Sequence, residues 1–254
     1  MVFWSEFAIL YIAALIGAVA VVPYGLRMAA GKPLKFSKPV LYALALAQNA
    51  VIFGVAIWLG LLASHSIGLG APYIEALLAE ATFPSATGLI AGLVFGAIAG
   101  AVLLIADLFF LPHWPQALRD MALKTTVTDN ILASLYGGID EELLMRMFGF
   151  SVLAWLLLFV WHSTTAVFWI ANVIMTILFG LGHLPALKGV LGTISQLMLV
   201  RSLLLNAPVG LLCGWLFWTY GIEAAILAHF SADIIYHAFG TVILRKKLHA
   251  TIAA

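Results

Sequence analysis

Long apolar stretches alternate with short polar ones along this chain, and the length of the apolar stretches decides what they are. Crossing the hydrocarbon of a bilayer as helix takes about 20 apolar residues. Stretches near that length run Phe7–Tyr24, Val40–Ala63, Thr87–Leu111, Asn130–Val160, Thr164–Gly182, Leu197–Tyr220 and Ile222–Leu244. The pattern predicts an all-α fold, a polytopic transmembrane helical bundle of about seven spans in a single membrane domain over residues 1–254. The fourth stretch is too long for one perpendicular crossing, so a tilt or a run past the membrane surface is expected. Leu184-Pro185 is expected to end the fifth helix. Gly189–Gln196 is too short to cross and reads as an interfacial turn; an eighth span arises only if it forms part of a further crossing.

Composition agrees. Of 254 residues, 64% are hydrophobic and 9% charged, and mean hydropathy is +1.12, against about 25% charged residues in a soluble domain. Net charge near +1, without a basic run or interleaved aromatics, gives no reason to expect nucleic acid as a partner. Cys213 is the single cysteine, which excludes an internal disulfide and a multi-cysteine zinc site. The first apolar stretch ends in Pro23-Tyr24-Gly25 and reads as a crossing rather than a cleavable signal. Basic residues cluster as Arg27, Lys32, Lys35 and Lys38, then Arg119 and Lys124, then Lys188 and Arg201, then Arg245-Lys246-Lys247. With seven crossings all four groups share one side, while Glu75, Glu80 and Glu223 mark the other. By the positive-inside rule the N-terminus is outside and the C-terminus cytosolic, in the plasma (inner) membrane.

Few charges remain for the spans, and the fourth takes four of them: Asp140, Glu141, Glu142 and Arg146. A charged side chain at membrane depth costs about 2.5–3.5 kcal/mol on insertion scales and marks a functional site by default. At helical spacing Glu142 and Arg146 lie about 40° apart and can pair, whereas Glu141 points elsewhere. The pair reads equally as a structural salt bridge or as part of a site. Glu141, buried without a local cation, suits a general base. Asp140 is expected to be structural, meeting Tyr136 one turn earlier. In the fifth span Asn172, Thr176, Phe179, Gly180 and His183 share a face. In the seventh, His229, Asp233 and His237 form a polar stripe, in which Asp233 is expected to orient His229 by a hydrogen bond. Polar groups on three separate spans are satisfied in lipid if they converge inside the bundle.

Glu141-Glu142-x-x-x-Arg146, Phe179-x-x-x-His183 and His229-x-x-x-Asp233, in that order, resemble the three motifs of the CAAX-protease and bacteriocin-processing (CPBP, or Abi) family, which contains the type II CAAX prenyl endopeptidases. The likeness covers roughly 130–244, and Gly210-Leu211-Leu212-Cys213-Gly214-Trp215 is similar to the family's Gly-rich aromatic segment. The resemblance implies a glutamate-type, metal-independent intramembrane endopeptidase. Glu141 would activate water and His183 would assist, while His229 and the residue four positions on would stabilise the oxyanion. Glu142, Arg146 and Phe179 would support them. The last motif position is Asp233, and an ionised Asp repels an oxyanion, so an orienting role is expected for it. The implied partners are the lipid bilayer and a peptide or protein substrate, prenylated or not, approached from the cytosolic side. No cofactor is expected. A lower-ranked alternative places zinc on Glu141, His183, His229 and Asp233. Another is a scaffold or a proton-linked transporter using Glu141, His183 and His229 as a relay.

Overall fold

The computed structural model describes residues 2–28 and 36–253, with side chains described as far as residue 248. Lys32 and Lys35 of the first basic group lie outside the described residues. In chain order the helices are α1 (Val2–Ala20), α2 (Val22–Met28), α3 (Lys38–Ser66), α4 (Pro72–Leu78), α5 (Thr87–Phe110), α6 (Gln116–Lys124), α7 (Val127–Tyr136), α8 (Ser151–Leu158), α9 (Thr164–Gly182), α10 (Leu184–Leu191), α11 (Gln196–Tyr220), α12 (Ile222–Asp233) and α13 (Gly240–Ala253). No strand occurs among the described residues, so the fold is all-α as expected.

Among the described residues, six helices are long and apolar enough to cross a membrane: Val2–Arg27, Lys38–Ser66, Thr87–His113, Thr164–Leu191, Gln196–Tyr220 and Ile222–Leu248. They coincide with six of the predicted spans. The fourth predicted span is an unbroken helical run from Val127 to Leu158 whose acids and Arg146 make it too charged for that group. It starts at a capping box, where Thr126 and Asp129 satisfy each other's backbone N–H. Its middle is wider than an α-helix: Gly137–Glu141 and Leu143–Phe150 are π-helical, and Ile234–Phe239 after α12 is π-helical too. Such segments occur frequently at functional sites. α9 ends at Gly182, just before Leu184-Pro185 as expected, and a further helix starts at once around Pro185. Pro185 occupies the first turn of α10, where its missing N–H has no intrahelical partner to lose.

α5 and α12 pack closely along a ladder of small residues. Gly92, Gly96 and Gly100 of α5 face Ala224, Ala228 and Ala232 of α12, and a Cβ at Gly92 would lie 2.5 Å from the Ala224 carbonyl oxygen. In lipid no hydrophobic effect drives helices together, so close backbone approach supplies the attraction. The ladder sets the position of α12, which carries His229 and Asp233. Gly96→Val should force the helices apart and lower stability by about 1–3 kcal/mol. Thermal unfolding in detergent measures this, with lipid-facing Ile98→Val, at an exposed position, as a near-neutral control.

Candidate active site

The three motif-bearing elements meet in the bundle interior. Arg146 is 1% exposed and Glu142 fully buried, and their contact is 2.7 Å between Arg146 Nη1 and Glu142 Oε1. The second guanidinium nitrogen, Nη2, donates to the Gly210 carbonyl at 2.8 Å, tying the π-helical run to α11. Glu142 Oε1 also lies 2.7 Å from His229 Nδ1 on α12. A carboxylate oxygen that meets both a guanidinium and an imidazole fixes the ring with Nε2 turned away from it. The Glu142–His229 contact was not foreseen. Residues 87 positions apart carry no mutual signal in one sequence.

Asp233 is therefore not the residue that orients His229 by a hydrogen bond. Its Oδ1 lies 3.8 Å from His229 Nε2 and 3.7 Å from His237 Nε2, beyond hydrogen-bond distance. Asp140 also departs from expectation. Both of its oxygens are buried without a hydrogen-bond partner, Tyr136 included, and the carboxyl presses on Gly17 of α1 where any Cβ would collide with it.

Glu141 points into the space that these contacts enclose. Its carboxylate is 4.0 Å from His183 Nε2 and 3.8 Å from His229 Nε2, and a quarter of the side chain is exposed. His183 Nδ1 sits 2.8 Å from the Phe179 carbonyl oxygen one turn back. A carbonyl only accepts, so Nδ1 bears a proton and donates to it, which leaves Nε2 facing Glu141. The Phe179 ring stands edge-on to His183 at 4.8 Å and to His229 at 5.5 Å, with the Arg146 guanidinium 5.3 Å from its centroid. One aromatic side chain thus buttresses both imidazoles and the arginine. Gly137 has no side chain because Asp233 and His229 occupy that space: a Cβ there would lie 2.5 Å from Asp233 Oδ2.

Glu141, Phe179, His183, His229 and Asp233 line a cavity of about 380 Å³ with Asn206. Arg201 lines it too, although the sequence pattern groups it with the basic charges of one membrane side. It lies within α11 and holds buried Asp107 of α5 through two 2.6 Å bonds, with Tyr236 donating to the same Asp107 at 2.8 Å. The available signal was one acid in an apolar third span and one arginine early in the sixth.

Residues 123–235 match the sequence model of a family described as type II CAAX prenyl endopeptidase Rce1-like. This motif-bearing segment, 113 of the 254 residues, is similar to the Rce1-like family. The Rce1-like segment opens at the end of α6, closes just past Asp233 and contains all three motifs, in agreement with the resemblance read from the residues. With six membrane-crossing helices, the chain is an integral, multi-pass membrane protein, and its Rce1-like part supports a CAAX-type membrane endopeptidase, a hydrolase. No curated protein and no solved structure matches the chain.

Three donor atoms come within 4.8 Å of one another in two groups among the described residues: Glu142, Cys213 and His229, and Glu6, His65 and Glu75. The zinc set considered from sequence (Glu141, His183, His229 and Asp233) is not one of them. In the first group Glu142 is already committed to Arg146 and His229.

Proposed function

We propose that this chain is an intramembrane peptidase of the glutamate type that cleaves a peptide bond with a water activated by Glu141. The observation that carries the reading is Glu141 facing the Nε2 atoms of His183 and His229 across a cavity, at 4.0 and 3.8 Å. Those gaps are too long for direct bonds and suit a bridging water. Glu141 takes one proton from that water while His183 Nε2 accepts the other as a hydrogen bond, and the oxygen attacks the scissile carbonyl. His229 donates from Nε2 to the oxyanion as an imidazolium, a state supported by Glu142 at Nδ1 and by Asp233 close to Nε2. Glu141 then returns its proton to the leaving amine. In this scheme Asp233 attracts charge onto the ring rather than fixing its orientation. The working unit is one membrane domain with its catalytic core at about 130–244.

No metal enters the mechanism, because the donors around Glu141 are spread over a cavity wide enough for water and substrate rather than gathered on one centre. Cleavage should therefore persist in excess chelator. Prenylated CAAX-type C-terminal peptides are the proposed substrates, supported by the family match and by the apolar part of the cavity wall, Leu103, Leu205 and Val209 among it. The test is a fluorogenic peptide offered to the purified protein in detergent, farnesylated and unmodified, with wild type, Glu141→Gln and His183→Ala compared. Cleavage that survives both substitutions sinks the assignment, and equal cleavage of both peptides removes the prenyl requirement.

The site is proposed to open toward the cytosol. Ala186 on α10 is exposed and lines the cavity, while native Cys213 is buried. In oriented cells Ala186→Cys should resist a membrane-impermeant maleimide from outside and react once the inner face is exposed. Labelling from outside alone reverses the orientation.

A further inference from the structure

Glu6 stands in the first membrane-crossing helix with its side chain fully buried, and neither carboxyl oxygen has a hydrogen-bond partner. An unsatisfied buried polar group is destabilising, and more so when charged. A native fold keeps such a group when something else compensates it. The near polar group is His65 Nε2, in the last turn of α3, 3.2 Å from Glu6 Oε2. The same nitrogen lies 3.7 Å from Glu75 Oε1 on α4. All three donor atoms fall within 4.8 Å of one another. Glu223 adds a further acid: its Oε1 accepts from the Tyr73 and Ile74 N–H groups, its Oε2 is buried and unpaired, and its charge acts on Glu6.

One imidazolium cannot balance three carboxylates, but a divalent cation nearly can. Ligand atoms about 2.0–2.2 Å from a tetrahedral zinc stand roughly 3.3–3.6 Å apart, close to the two contacts that His65 makes. A nitrogen with carboxylate oxygens is a donor set for zinc and its neighbours rather than for calcium. Access exists: His65 and Glu75 line a cavity of about 720 Å³ with Pro72, Tyr73 and Gly221. This cavity lies at the end of the bundle opposite the Glu141 cavity. It takes in Val2 of α1 and Phe217–Tyr220 of α11, whereas Val21, Arg201 and Val209 line the other.

We infer that Glu6, His65 and Glu75 form a divalent transition-metal site of the zinc class that fastens α4 to α1 and α3. It is separate from the hydrolytic reading and holds whether or not the chain cleaves peptides. The probe is zinc alone. Purified protein is stripped with chelator, loaded with zinc, desalted and analysed for metal, and its thermal midpoint is followed with and without zinc. Wild type and Glu141→Gln should each retain about one zinc per chain and gain midpoint on loading. His65→Ala and Glu75→Gln should retain at least about tenfold less and lose the gain. Glu75 is partly exposed, so its variant should fold even if a change at buried Glu6 does not. Zinc absent from loaded wild type, or retained equally by both variants, overturns the site. Cobalt substitution adds a second readout: a thiolate charge-transfer band that vanishes in Cys213→Ser would place the metal at Glu142, Cys213 and His229 and overturn it as well.

Discussion

Glu141→Gln should lower kcat/KM for peptide cleavage by about 10²–10⁴-fold, the range expected when a general base is removed. Glutamine keeps the shape of the side chain but cannot take a proton from water. The fold should tolerate the change, because the Glu141 carboxylate makes no contact shorter than 3.8 Å to either histidine and is partly exposed. The thermal midpoint should therefore match wild type while activity collapses. His183→Ala should cost less, since its Nε2 positions the water without being the proton acceptor. The measurement is steady-state cleavage of the farnesylated peptide beside an unfolding scan of the same sample. A Glu141→Gln protein within twofold of wild-type activity would remove Glu141 from the chemistry.

The second large effect concerns stability. Arg146→Ala should destabilise the protein by about 3–5 kcal/mol, the cost of leaving one member of a buried ion pair without its partner. Glu142 and the Gly210 carbonyl each lose a donor, and Phe179 loses the guanidinium against its ring. Arg146→Lys should recover only part of this, because one ammonium replaces a planar fork that reaches both acceptors. Removing both charges in Glu142→Leu/Arg146→Leu should cost less than the sum of the two single changes, since neither member of the pair is left facing an absent partner, although His229 Nδ1 loses its acceptor. Denaturant unfolding in detergent reads all of these variants. An unchanged midpoint for Arg146→Ala would show that the pair does not hold the bundle together.

These two effects divide the acids of the motif between separate tasks. Glu142 meets Arg146 and His229, and Arg146 reaches the Gly210 carbonyl, so the pair connects three helical elements, while Glu141 one residue earlier faces the cavity. Helical phase already separated them in the sequence, since residues four apart share a face and adjacent residues do not. That separation was legible even though the segment is π-helical rather than α-helical, which no residue pattern announced.

Other contacts were not legible. Asp233 four residues after His229 had the spacing of an orienting partner, yet Glu142 on another span reaches Nδ1 at 2.7 Å while Asp233 remains at 3.8 Å. Asp140 had Tyr136 one turn away and instead meets α1 at Gly17. Arg201 groups with the basic charges of one membrane side although it stands early in the sixth apolar stretch, and a buried acid on α5 holds it inside the bundle. In each case a local rule proposed a neighbour along the helix, and a more distant group proved closer in space.

The sequence alone determined the membrane class, the positions of the crossings and the three motif-bearing segments. These depend on apolar length, charge scarcity and spacing within one helix, which are properties local to the chain. Tertiary structure decided which polar groups share a cavity, which acid holds His229, and that Glu6 meets His65 and Glu75. Those pairings follow from how close two helix backbones can come, as where Gly92, Gly96 and Gly100 admit α12. That distance is set jointly by residues far apart in sequence, and no window along one chain contains it.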